Sequence, residues 1–183
     1  MLWIVLALLA VVALVGVALY NRIIVLENRI KNAWGQIDVQ LRRRNDLIPN
    51  LLATVKGYAA HERELFTKLG EARERSLRAT TVPEQADASN QVTAALRSVF
   101  AVAENYPELR ANENFLALQS ELSETEDKIA YARQFYNDAV LGFNNAIQTV
   151  PGTFVAGPMG KTPQVMLETP AAERSVPQVS FGS

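Results

Sequence analysis

The 183-residue chain carries 18 basic and 19 acidic side chains, one His and no Cys, and 49% of its residues are apolar. A net charge near zero gives no electrostatic reason for a nucleic-acid partner. The lack of Cys removes disulfides, thiolate nucleophiles and cysteine-ligated zinc or iron–sulfur centres, and the length suits one ordinary domain plus an accessory segment.

From Leu2 to Leu19 no side chain is charged or strongly polar. About eighteen residues at 1.5 Å each give roughly 27 Å of helix, close to the ~30 Å hydrocarbon core of a bilayer. Trp3 and Tyr20 stand at the two ends, where amphipathic rings favour the interfaces, so residues 1–21 read as a transmembrane anchor bounded by Leu2, Trp3, Leu19 and Tyr20. Gly16-Val17-Ala18 loosely resembles a signal-peptide cleavage site, but no Lys or Arg precedes the apolar run to form the n-region of a secretory signal. A buried core helix of this length rarely lacks a polar face entirely. Arg22, Arg29 and Lys31 follow the span, and the positive-inside tendency places the N-terminus outside and the rest in the cytoplasm. Asn21 to Lys31 contains no Gly or Pro while Ile23, Leu26 and Ile30 keep an apolar stripe, so the membrane helix is expected to run straight into the first soluble helix.

The stripe continues as Ile30, Trp34, Ile37, Leu41, Ile48, Leu51, Val55, Tyr58 and Leu65, spacing that places side chains on one helical face. The first helix is expected to persist to about Leu77, because Gly57 and Gly70 cost only about 1 kcal/mol each. Two residues interrupt the pattern. Pro49 lacks a backbone donor and crowds the carbonyl of Asn45, which predicts a kink or a restart. Arg44 falls on the apolar stripe within Arg42-Arg43-Arg44. A lipid-binding role for this triplet is disfavoured because it lies about 22 residues, roughly 33 Å of straight helix, beyond the anchor. Arg42 and Arg43 are expected in solvent and Arg44 in an internal pair with an acid of another helix, for instance Glu121, Glu124 or Asp127.

Arg78 to Pro83 reads as a loop. Thr81-Val82-Pro83-Glu84 matches a capping box with Pro in the first turn, so a second helix begins there. Its polar start, Glu84 to Gln91, is expected to fray before Val92, Leu96, Val99, Phe100 and Ala103 supply a buried face, and Tyr106-Pro107 ends it. The last helix alternates three and four through Phe115, Leu118, Leu122, Thr125, Ile129, Ala132, Tyr136, Ala139, Phe143, Ala146 and Val150, a packing seam. Asn112 or Asn114 can cap it, and Pro151-Gly152 stops it. The fold class is therefore all-α: a single transmembrane helix continuing into an antiparallel three- or four-helix bundle over 22–150. The fourth helix arises if Pro49 or the Ala72–Thr81 region splits the first. Residues 151–183, rich in Gly and Pro, read as an irregular tail with extended pieces at Gln164–Leu167 and Gln178–Phe181. Phe154, Met159, Leu167 and Phe181 there can dock on the bundle or on a neighbouring subunit.

Catalytic motifs fail on inspection. Gly160-Lys161-Thr162 resembles the end of a phosphate-binding loop, but Val155 stands where that loop needs Gly. His61-Glu62 would need a second His at 65, which is Leu, so His61 reads as a solvated helix residue. Glu124, Glu126 and Asp127 have no converging partner set for acid–base work and read as a solvated face.

Several runs carry a family resemblance: Ala33-Trp34-Gly35-Gln36-Ile37-Asp38-Val39-Gln40-Leu41, Arg43-Arg44-Asn45-Asp46-Leu47-Ile48-Pro49-Asn50-Leu51, Val55-Lys56-Gly57-Tyr58 and His61-Glu62. Further on stand Glu104-Asn105-Tyr106-Pro107-Glu108-Leu109 and Ile129-Ala130, then Ala132-Arg133-Gln134-Phe135-Tyr136-Asn137-Asp138-Ala139-Val140. Together they resemble the pattern of LemA family proteins over nearly the whole soluble part. The resemblance implies a membrane-anchored antiparallel helical bundle without assigned enzymatic activity. It also implies scaffolding, since the family includes a relative implicated in building magnetosome membranes and its members often neighbour membrane proteases or stress factors. The motif residues Asp46, Pro49, Asn50, Tyr58, Asn137 and Asp138 bring no catalytic assignment with them. Gly152 to Pro158 follow the family's exit from the last helix only loosely.

The sequence thus leads to a non-enzymatic, single-pass scaffold of a bacterial inner membrane. It is expected to contact membrane lipid and to form a homo-oligomer, with a membrane-protein partner also in view and no nucleic acid, cofactor, metal or small-molecule substrate. Structural or interaction candidates are Trp34, Asp38, Arg44, Asp46, Pro49, Asn50, Tyr58, Tyr136, Asn137 and Asp138. Self-association follows from tethering in a plane, which raises effective concentration, and from the slim positions Val11, Ala13 and Gly16. The alternative is an adaptor that regulates a membrane protease or transporter.

Overall fold

The computed structural model describes residues 1–59 and 61–168. Among them every regular element is a helix: α1 (Leu2–Lys56), α2 (Arg63–Arg78), α3 (Val82–Ala103), α4 (Pro107–Arg110), α5 (Glu113–Gln148) and α6 (Gly152–Ala156). The fold is all-α, a long apolar N-terminal helix followed by a helical bundle. The described residues divide into two compact units, Met1–Gln40 with Lys128–Met166, and Leu41–Asp127 with Leu167 and Glu168. Helices α1 and α5 contribute to both.

In the first unit, α1 passes from its apolar segment into the packed part without interruption, as the absence of Gly and Pro between Asn21 and Lys31 predicts. Its most apolar 18-residue window has a mean hydropathy of 3.0 and no buried residue. A core helix would be covered, so that reading is excluded. Below the apolar segment Ile23, Ile30, Ala33 and Ile37 are buried, as are Ile129, Ala132, Tyr136, Val140, Phe143 and Ile147 on α5. The two helices run antiparallel: Trp34 meets Tyr136, and a Cβ on Gly142 would touch Leu26.

The α5 seam corrects the expected one. Val140 and Ile147 are buried where the alternation predicts Ala139 and Ala146, and Val150 is 74% exposed. Strict three–four alternation is a 3.5-residue period, whereas a straight helix lags it by about 20° per heptad. Across the five heptads from Phe115 to Val150 that lag sums to about 100°, one residue position.

Beyond α5 the tail is more ordered than its composition suggests. A cis Val150–Pro151 bond leads into α6, and Gly152 approaches the Ala146 carbonyl so closely that a Cβ there would overlap it. The extended segment after α6 lies along the unit. Asn144 Nδ2 donates to the Gln164 carbonyl and Gln164 N–H donates back to Asn144 Oδ1, each at 2.8 Å. Lys161 Nζ reaches Glu27 Oε2 at 2.7 Å. Leu167 is buried, Met159 is half-buried and Phe154 is 73% exposed, so of its two expected docking places the bundle of its own chain does not cover it. The second extended piece, Gln178–Phe181, lies outside the described residues.

In the second unit the expected helix to Leu77 is corrected. The first helix ends at Lys56, and α2 returns along it as a hairpin: Asn45 bonds Ser76, while Leu52 and Lys56 share a groove with Arg63, Phe66 and Gly70. The buried positions Val55, Ala59, Phe66, Leu69 and Ala72 suit an unbroken helix equally well, so periodicity hides the turn. Tertiary contacts hold it: Asn112 Nδ2 donates to the Tyr58 hydroxyl at 3.0 Å, and Tyr106 OH donates to Glu62 Oε1 at 3.2 Å. His61 accordingly sits in an exposed turn and not on a helix.

Of the kink or restart expected at Pro49, the restart does not occur, for Pro49 lies inside α1. The Asn45 carbonyl that Pro49 cannot serve accepts instead from Arg73 Nε at 2.8 Å. The capping box forms as expected, with Glu84 N–H donating to Thr81 Oγ1 and the Glu84 carboxylate accepting from Thr81 N–H. The polar start of α3 is helical from Val82, with Ala88 and Ser89 buried there. Asn112 Oδ1 accepts from Phe115 N–H to cap α5. Ile48, Leu51, Val55, Leu69, Val92, Leu96, Val99, Leu109, Phe115 and Leu122 form one core cluster.

Candidate interaction surface

Helix period dictates that residue 44 faces the core, and the side chain there is a guanidinium with no exposed surface. A buried charge persists only when paired and hydrogen-bonded. Arg44 Nη1 donates to Glu126 Oε1 at 2.7 Å and to the Thr93 hydroxyl at 3.0 Å. Its Nη2 donates to the Ser89 hydroxyl at 3.1 Å and to the Ser89 carbonyl at 3.3 Å, and Thr93 Oγ1 donates onward to Glu126 Oε2 at 2.7 Å. Nε alone lacks a partner among the described residues. The acid is Glu126, not Glu121, Glu124 or Asp127, and Glu121 instead binds Arg43 at 2.7 Å. That hydrogen bond, on an exposed pair, holds the Arg43 pKa above its ordinary value. Arg44, Ser89, Thr93 and Glu126 lock α1, α3 and α5 in register within the second unit.

The other candidates are dispersed. Trp34, half-buried, meets the Tyr136 ring edge-on with centroids 5.6 Å apart. The Tyr136 hydroxyl donates to the Val165 carbonyl at 3.4 Å, and burial pushes its pKa up. Asp38 and Asn137 are half-buried; Asp46, Pro49, Asn50 and Asp138 are exposed; Tyr58 is exposed at the turn. Among the described residues no three His, Asp or Glu side chains stand together as a metal site would require.

What the residues do assemble in the first unit is an open groove of about 780 Å³ between α1 and α5. Asn32, Gln36 and Gln40 line one wall at four-residue spacing, and Tyr131 and Phe135 line the other with Val39 between them. Tyr131 is 75% exposed, Val39 60% and Phe135 59%, and the Gln40 side-chain carbonyl is buried with no donor among the described residues. Tracing the apolar seam along the sequence misses this surface. The signal that finds it is the opposite one: large apolar residues lying off the seam phase.

A model of the LemA family matches residues 33–181. The chain is 24% identical to magnetosome protein MamQ 2 of Paramagnetospirillum magneticum, across 94% of this chain and 74% of that protein. It is 28% identical to protein LemA of Metamycoplasma hominis, across 67% of this chain and 57% of that protein. Identity to magnetosome protein MamQ of Magnetospirillum gryphiswaldense is 22%, across 87% and 70%.

Proposed function

The chain belongs to the LemA family, and on that footing we propose that it is a membrane-anchored, non-enzymatic helical scaffold that self-associates in the bilayer plane and organises membrane or envelope proteins. The exposed apolar segment of α1 is the anchor, over residues 1–21, and the basic Arg22, Arg29 and Lys31 after it support a bundle on the cytoplasmic side of a bacterial inner membrane. Two relatives are magnetosome proteins by name, which supports a role at a membrane.

The observation that carries self-association is the apolar rim of Val39, Tyr131 and Phe135. Contiguous exposed apolar surface of this kind marks interaction sites. Because the groove belongs to the same compact unit as the anchor, each copy in one bilayer holds it at the same height. Identical patches then meet around an axis along the membrane normal, the self-complementary arrangement of a twofold dimer, with concentration raised by tethering.

The chain has no native Cys, so Tyr131→Cys places a single cross-linking site. In intact membranes this variant should link copy to copy, and mass spectrometry should find the 131–131 peptide. Links from residue 131 only to other proteins would overturn the scaffold reading in favour of an adaptor for a membrane protease or transporter.

A further inference from the structure

A second groove, of about 270 Å³, sits where the apolar segment of α1 ends. Leu19 and Arg22 of α1 line it together with Asn145, Val150 and Pro151 at the end of α5. Leu19 ends the wholly apolar run that precedes Tyr20, Asn21 and Arg22, so the α5–α6 turn stands at the level at which α1 leaves the hydrocarbon. Val150 is 74% exposed and Phe154, on α6, 73%. Arg22 is exposed, and neither its guanidinium nor the Asn145 carboxamide has a side-chain partner among the described residues.

We propose that this turn is a lipid-binding site: the phosphodiester of one bilayer lipid sits against the Arg22 guanidinium and the Asn145 amide, while Val150 and Phe154 enter the acyl boundary beside Leu19. The inference rests on α1 spanning the bilayer. Three features support it. Continuity with the apolar span puts the turn at headgroup depth, where aromatic rings are favoured. A guanidinium matches a phosphate in charge and in fork geometry. Two large apolar side chains exposed at that depth are covered by acyl chains without any protein partner. Gly152 lets the chain reverse tightly against Ala146, which leaves Val150 in the groove wall with Leu19 and Arg22. The contact gives the protein a second hold on the membrane and restrains rotation of α1 about its axis.

The test uses the full chain in lipid nanodiscs, with a nitroxide on a single Cys introduced as Val12→Cys, Phe154→Cys or Leu77→Cys. Accessibility to oxygen and to a water-soluble nickel chelate is measured for each label. Labels at 12 and 154 should favour oxygen, and the label at 77 should favour nickel. Nickel-favouring behaviour at 12 would overturn the anchor itself. Oxygen preference at 12 with nickel preference at 154 would overturn this inference alone. The phosphate contact is read separately: the depth of the 154 label should shift toward water when Arg22→Gln is added, and equally when phospholipid is replaced by a phosphate-free galactolipid. Unchanged depth in both cases would overturn the headgroup site.

Discussion

Arg44 shows how one side chain can stabilise a fold at a cost that only its partners offset. Removing one member of a buried pair leaves the other uncompensated, at about 3–5 kcal/mol. Glu126→Ala should therefore lower the stability of the detergent-solubilised protein by about 3 kcal/mol in denaturant unfolding, independently of salt. Glu121→Ala, which breaks only the exposed pair with Arg43, should have a far smaller effect that vanishes as ionic strength rises. That Arg44 points inward was legible in the sequence, because a charged residue on a stripe of core positions has no other direction to take. Which acid meets it was not: Glu121, Glu124, Glu126 and Asp127 lie within two turns, and the rotation of α5 about its own axis selects among them.

Pro49 and Arg73 make a second residue-scale argument. The proline strips the Asn45 carbonyl of its helical donor, and Arg73 Nε replaces it. Losing that replacement leaves a largely covered carbonyl unpaired, worth about 1–3 kcal/mol. Arg73→Ala should thus be costly beside Pro49 but mild in a Pro49→Ala background, where the restored N–H serves Asn45. A double-mutant cycle should return a coupling of about 1 kcal/mol, and additive effects would contradict the exchange of donors. The sequence exposed the defect at Asn45 but not its repair, which comes from a residue 28 positions away.

At the scale of elements, local signals and long-range ones part company. The capping box at Thr81–Glu84, the stop before Pro107 and a cap at Asn112 or Asn114 were readable because each is settled within a few residues, and the structure takes Asn112. The end of α1 at Lys56 was not, since the hairpin depends on Tyr58 and Glu62 finding Asn112 and Tyr106. The tail's attachment is likewise tertiary. Lys161 donates to Glu27, and this hydrogen bond holds the Glu27 carboxyl below the usual carboxylate range. A depressed folded-state pKa means that the contact contributes stability above the ordinary carboxylate pKa and loses it as pH falls through Glu27's own lower value. Amide hydrogen exchange over residues 157–166 should accordingly quicken in that acid window, after correction for intrinsic rates. Glu27→Gln should bring the faster exchange to neutral pH, and protection unchanged by acid or by the variant would contradict the latch.

For the whole molecule, the apolar segment was legible because composition and length alone define it, and its lack of cover in the structure removes the core-helix alternative. The groove of Val39, Tyr131 and Phe135 was not legible, because an off-seam apolar residue becomes part of a surface only when α1 and α5 dock. The two features together support the proposal that a membrane-tethered bundle meets its own copies through this face. Counting subunits in the bilayer tests it most directly, by single-molecule photobleaching of the labelled full-length chain in vesicles at low protein-to-lipid ratio. The account predicts multi-step bleaching beyond random co-occupancy for the native protein and single steps for Tyr131→Asp/Phe135→Asp with α-helical content retained. Single steps for the native chain, or multiple steps that survive the double substitution, would contradict it.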